Sequence, residues 1–226
     1  MKFRRFSVAV ALAAAMAGTV VAAPPMGATP VAATPGTEEV TPFRTLKTTI
    51  KEDADTVRMF FSFSCPHCYQ AHDPIVRWGS SLPTSLRFEV TPVVTKDAAS
   101  LMGAAYYYAV KQAAPLKLAI FSAAVYEGIQ RQNGRADQEV TYLKAAARVG
   151  IDTEALKRTV RSEPVKQATY RAAQLVAAYA LDATPSVTTG GRYVVTPEAT
   201  QGINGNFFQL VNAVTSKHMI ETGRPG

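Results

Sequence analysis

Residues 56–63 read TVRMFFSF, a run of β-branched and aromatic side chains with no Gly or Pro, which predicts a buried strand leading into Ser64 and Cys65. Residues 69–79 then carry helical periodicity, with Pro74 expected to kink or shorten the helix. Leu86, Phe88 and Val90 alternate with Arg87 and Glu89, the period of a half-exposed strand ending at Pro92. From residue 97 to 181 no strand-like run occurs, and 98–113, 116–130, 139–149, 153–161 and 165–180 each predict a helix. Asp97 and Asp152 serve as N-caps, Gly134 and Gly150 as stops, and Pro164 suits a first turn. Strand character returns at 186–189 and 192–195, with Gly190-Gly191 between them as a two-residue hairpin loop. A last helix over 206–218 places Phe207, Leu210, Val211 and Val214 on one face and leaves His218 at the surface. The order is βαβ, a helical block, then ββα, which predicts an α/β fold with an all-helical insertion.

Composition changes the picture only at the N-terminus. With 47% hydrophobic and 18% charged residues, the chain is ordinary globular material, neither disordered nor multi-spanning. Lys2, Arg4 and Arg5 precede an apolar stretch and then small residues ending at Ala22 and Ala23, the layout of a secretory signal peptide over residues 1–22. Cutting after Ala22 avoids leaving Pro24 at the new terminus; an uncleaved anchor is the alternative. Residues 23–42 hold five prolines and no aromatic residue, which predicts a disordered Pro/Ala/Thr spacer. Folded structure is expected from 43, with 43–96 and 182–220 forming one domain and 97–181 inserted into it. Losing the three leader cations takes 24 basic residues to 21 against 17 acids, a net +4 with no basic block, so no nucleic-acid partner is expected. The Tyr106-Tyr107-Tyr108 triplet points in different directions on a helix and reads as core packing and interfacial use rather than a stacking platform.

Both cysteines lie in one motif, Cys65-Pro66-His67-Cys68. A disulfide closing so short a loop removes little entropy from the unfolded chain, so the pair needs a chemical explanation. Cys65 at a helix N-terminus meets unpaired amides and the positive end of the dipole, and Pro66 is a natural first helical residue. Cys68 falls one turn on, on a stripe with His72, Ile75 and Gly79, which predicts a buried resolving thiol beside an exposed nucleophile, Cys65. Cys-X-X-Cys thiols can fall from about 8.5 to as low as about 3.5, roughly 7 kcal/mol in favour of the thiolate. A helix terminus supplies at most about 2 kcal/mol of that. The rest is expected from amide hydrogen bonds and from His67, which points to a donor of disulfides. Haem attachment requires His at position 69, where Tyr stands. A metal site would crowd Cys65, His67, Cys68 and His72 into a turn or two, so a dithiol metal-handling module is the remote reading. No cofactor beyond the cysteine pair is expected.

Phe60-Phe61-Ser62-Phe63 followed by Cys65-Pro66-His67-Cys68-Tyr69-Gln70 resembles the active-site segment of the DsbA family of periplasmic disulfide oxidases. Ala183-Thr184-Pro185 followed by Gly190-Gly191-Arg192-Tyr193 is similar to that family's second signature, a cis-proline loop and hairpin. The resemblance implies a thioredoxin fold carrying a helical insertion, and a cis Pro185 facing the cysteines with Thr184 offering backbone groups to an extended substrate. It also implies reduced exported polypeptides as substrates, a DsbB-like membrane partner for reoxidation and a periplasmic location. Isomerases of related fold are often dimeric, but no dimerisation segment stands out in this sequence, so a monomer is expected. Members of that family themselves define the low end of thiol pKa values and the oxidising end of potentials quoted for such motifs. Two positions depart from the family's pattern. Met59 stands where a buried acid is usual, which predicts slower proton transfer at Cys68. Thr184 stands where these oxidases usually have Val, and Thr there resembles isomerases and reductases of the same fold. An isomerase or reductase kept reduced is therefore the alternative reading.

Overall fold

The computed structural model describes residues 42–224, so the leader and the spacer up to 41 lie outside the described residues. Its strands are β1 (Arg44–Thr45), β2 (Thr56–Phe61), β3 (Arg87–Pro92), β4 (Ser186–Thr189) and β5 (Tyr193–Val195). Its α-helices are α1 (Pro66–Gly79), α2 (Ala98–Ala113), α3 (Leu118–Arg131), α4 (Glu139–Arg148), α5 (Thr153–Val160), α6 (Glu163–Ala178) and α7 (Gly205–Glu221). None of the described helices is long and apolar enough to cross a membrane.

The strands form one mixed sheet in the order β1-β5-β4-β2-β3. β2 and β3 are parallel and joined through α1, while the other neighbours are antiparallel. β2 is an interior strand, paired on both sides and buried on both faces, which is why its sequence is nearly continuous in apolar residues. Val57, Met59 and Phe61 join the core that contains Cys68 and Ile75. Phe60 points the other way, onto Leu175 and Tyr179 at the end of α6 and Val194 of β5. Arg58 shares that second face and binds Asp53, which is 1% exposed and also accepts from the Tyr179 hydroxyl at 2.7 Å. Tyr106 and Tyr107 are buried, so core packing holds for two of the three consecutive tyrosines.

Several expectations need correction. α1 starts at Pro66 with Cys65 as its cap, as the motif predicts, and the helix passes Pro74 to reach Gly79 instead of being shortened there. The missing amide of Pro74 removes one backbone bond, which the rest of the helix tolerates. Residues 115–117 form a 3₁₀ turn ahead of α3, and α3 ends at Arg131, where Asn133 rather than Gly134 takes the left-handed conformation. The β4–β5 register pairs Thr189 with Tyr193, so three residues intervene instead of two. The extra one arises because the loop also pairs outward: Leu46 and Ile50 donate to the carbonyls of Arg192 and Gly191, both at 2.8 Å. Gly190 and Gly191 sit at φ 64° and 65°, and a Cβ on Gly191 would lie 2.1 Å from the Ile50 carbonyl oxygen. Only glycine fits there.

His218 is the clearest reversal. It is 5% exposed, and its Nε2 lies 3.0 Å from the carbonyl oxygen of Ala54. The imidazole occupies the space that a side chain at Gly190 would need. Burial holds its pKa below the ordinary histidine value. His218 continues the Phe207, Val211 and Val214 stripe at helical spacing, so α7 turns it inward, where the Ala54 carbonyl satisfies its ring.

Candidate active site at the end of the central strand

The register of the sheet brings the two sequence signatures together. Antiparallel pairing of β4 on β2 sets Ser186 opposite Phe60, so the turn before β4 arrives where β2 hands the chain to Cys65. The Thr184–Pro185 peptide is cis. The Ser186 hydroxyl donates to the Ala183 carbonyl at 2.7 Å and closes that turn. Across from it, the Cys65 thiol donates to the Thr184 carbonyl oxygen at 3.3 Å, joining residues 119 positions apart.

On the β2 side, Ser62 organises the approach to the motif. Its carbonyl accepts from the Cys65 N–H at 3.2 Å, and its hydroxyl accepts from the Ser64 N–H at 3.2 Å. Cys65 is the N-cap of α1 in extended conformation, and its sulfur accepts from the Cys68 N–H at 3.3 Å. A sulfur thus takes the role that a Ser or Asp oxygen usually plays at this position. Pro66 follows as the first helical residue. Cys65 is partly exposed, while Cys68 is fully buried and its sulfur accepts a long 3.5 Å contact from the Ser62 N–H.

These surroundings split the two thiols. A hydrogen bond from the Cys68 thiol pulls the Cys65 pKa down to about 5, against the opposing effect of burial. The Thr184 side chain and the amides of Cys68 and His67 lower it further. Burial is the main reason that the Cys68 pKa rises far above the ordinary range, reinforced by the neighbouring Cys65. His67 is exposed and, among the groups acting most strongly on Cys65, enters through its main-chain N–H rather than its ring. That revises the expectation that the imidazole would supply the stabilising group.

A depressed Cys65 pKa makes the reduced protein's stability depend on pH. The thiolate's contribution is complete above the ordinary value of 9.0, shrinks as pH falls, and is gone below about 5. Thiolate ultraviolet absorbance of the reduced protein is accordingly expected to titrate with a midpoint near 5, and a midpoint near 8 or above would contradict this geometry.

α3 supplies contacts that sequence reasoning did not find. The Gln130 side chain donates to the Phe63 carbonyl at 2.9 Å, two residues before Cys65. Glu127 accepts from the Tyr69 hydroxyl at 3.1 Å, and Arg131 lies over the Tyr69 ring. The Tyr126 ring packs among Phe61, Phe63, Tyr69 and His72. Their shared helical spacing was visible in the sequence, but not the element that they would face. His72, expected on the buried stripe, is only partly buried and pairs with Asp73 at 2.9 Å, whereas Ala71 takes the inward place. Met59 is buried on the same side of the sheet as Cys68, while Asp53 packs with Tyr179 on the opposite side.

Comparison with known proteins gives concordant results. The profile of the DSBA-like thioredoxin domain matches residues 71–206, beginning three residues after Cys68. The thiol:disulfide interchange protein DsbA of Burkholderia cepacia is 26% identical over 146 residues, which cover 65% of this chain and 68% of that protein. Its namesake in Bordetella parapertussis is 26% identical over 138 residues, covering 61% and 64%. The crystal structure of Pseudomonas aeruginosa DsbA superposes with a TM-score of 0.72 at 21% identity, over 81% of this chain and 95% of that one. The oxidoreductase NmDsbA1 from N. meningitidis gives 0.68 at 18% identity, over 80% and 93%. At such identities the structural likeness is one of fold.

Proposed function

This chain belongs to the family of DSBA-like thioredoxin domains, a thioredoxin fold with a helical insertion whose chemistry is thiol–disulfide exchange, and we propose that it runs that chemistry as a donor of disulfides. A client thiolate attacks the Cys65 sulfur of the oxidised motif, the Cys65–Cys68 bond breaks, and Cys68 leaves as a thiolate that takes up a proton. A second client thiolate then attacks the client sulfur of the mixed disulfide and releases Cys65 as a thiolate. The client loses two electrons and the cysteine pair gains them. We assign Thr184 and Pro185 to holding the client as an extended strand, Pro66 and the His67 amide to shaping the turn, and α2 to α6 to an inserted domain. Reoxidation would fall to a membrane partner carrying a disulfide of its own, and the setting would be the periplasm.

The observation that carries this reading is the split between the two thiols. A thiolate stable at neutral pH favours the reduced form and so makes the disulfide more oxidising. Discounted by half for the solvent exposure of Cys65, a drop from 9.0 to about 5 corresponds to about 3 kcal/mol, or roughly 60 mV. The reduction potential measured against glutathione should then lie above about −180 mV, the level of protein disulfide isomerase. A value near about −270 mV, that of thioredoxin, would favour the alternative of a reductase. That alternative draws its support from Thr184, the residue that resembles isomerases and reductases at this position.

A further inference from the structure

We infer that Tyr126 is the side-chain donor reserved for the Cys68 sulfur while it carries negative charge, an inference that rests on the exchange chemistry proposed above. Tyr126 is fully buried, yet its hydroxyl has no hydrogen-bond partner among the described residues. Buried tyrosine hydroxyls ordinarily find a partner, and leaving one unpaired is destabilising. The ring is gripped on several sides: Phe63 at 5.0 Å, His72 at 5.3 Å, Tyr69 at 5.9 Å and Phe61 at 6.2 Å between centroids. Phe61 and Phe63 precede the motif, Tyr69 follows Cys68 directly, and His72 lies one turn beyond it. The phenol ring therefore packs against residues that flank the motif on both sides and belongs to the same core as the buried cysteine.

The titratable groups around the phenol are Cys68, Cys65, Tyr69 and His72 at the motif and on α1, and Tyr107 on α2. Burial pushes the tyrosine pKa well up and the cysteines add to it, Cys68 more than Cys65, so the O–H keeps its proton and remains a donor. In client oxidation Cys68 is the leaving thiolate; in reoxidation it is the attacking one. Either way its sulfur passes through a charged state in a buried site, where the Ser62 amide contact is long at 3.5 Å and Thr184 adds a smaller stabilising effect. A phenol donating to that sulfur would meet the need without a carboxylate at position 59.

Tyr126→Phe keeps the ring and removes the donor. Mixing the oxidised protein with excess glutathione, and following the Cys65–glutathione adduct by rapid quench and mass spectrometry, isolates the step in which Cys68 leaves. The variant is expected to form the adduct about tenfold more slowly, the loss of one hydrogen bond to a charged group, with an unchanged or raised thermal midpoint of the oxidised protein. A structural role predicts the reverse, a lowered midpoint with a normal rate. Adduct formation at the wild-type rate would overturn the inference. If the wild-type protein forms no Cys65 adduct, the proposed function itself fails, a separable result.

Discussion

Cys65→Ser is expected to abolish disulfide transfer to a reduced client, by more than about a thousandfold, whereas in Cys68→Ala the lone Cys65, once joined to glutathione by exchange with oxidised glutathione, still takes a client thiolate, releases glutathione and forms a Cys65–client adduct. The difference follows from burial. Cys65 is partly exposed at the helix N-terminus with amide donors on its sulfur, so it is the sulfur that a client reaches. Cys68 has no exposed surface and is enclosed by its partner thiol, the Ser62 amide and Thr184, so it cannot form an intermolecular bond without unfolding the turn. Removing it also takes away the thiol that acts most strongly on Cys65, so the remaining cysteine should titrate above 5 in that variant. Non-reducing gels of cells expressing each variant read the outcome directly. Equal adduct formation by both would sink the assignment of nucleophile and resolving thiol.

The second large effect is on stability, away from the cysteines. Asp53 has a side chain 2% exposed and accepts from the Arg58 Nε at 2.9 Å and from Tyr179 at 2.7 Å, while Arg58 also donates to Thr91 at 2.7 Å. Four groups from the turn before β2, from β2, from β3 and from the end of α6 are thus tied at one buried point. Asp53→Leu strands the guanidinium there and should cost about 3–5 kcal/mol in urea unfolding. Replacing both partners, Asp53→Leu with Arg58→Met, should recover most of that loss, because the penalty lies in the unpaired charge rather than in the absence of the pair. A double variant no more stable than the single one would show that the pair contributes net stability. Exchange activity per folded molecule should stay near normal in both, since among the described residues no hydrogen bond ties this cluster to the cysteines.

Most of the element order was legible because it depends on local chemistry. The uninterrupted β-branched and aromatic run at β2, the Asp97 and Asp152 caps, and Pro164 in the first turn of α6 are all signals carried within a few residues. The errors fall where distant backbone intervenes. The extra hairpin residue reflects bonds from Leu46 and Ile50, and the burial of a polar His218 is satisfied by the Ala54 carbonyl 164 positions away. Short β1 pairs with β5 through just two residues, Arg44 and Thr45, too few for any periodicity to announce.

The Cys-Pro-His-Cys motif follows the same division. Spacing alone placed two sulfurs one helical turn apart at a helix start, and that is a property of covalent geometry and of proline at the first helical position. Which groups tune them depended on folding. Cys65 takes its character from a buried neighbouring thiol, two amides and Thr184, while the His67 ring is not among the main contributors. The face of α3 that grips the motif, and the unpartnered Tyr126 hydroxyl within it, could not be read from a helix pattern, because periodicity reports that a face is buried and not what it meets. Chemistry with a fixed local reach is written in the order of residues. Electrostatic tuning depends on which groups desolvate one another, and that arises only when segments more than a hundred positions apart close over the same sulfur.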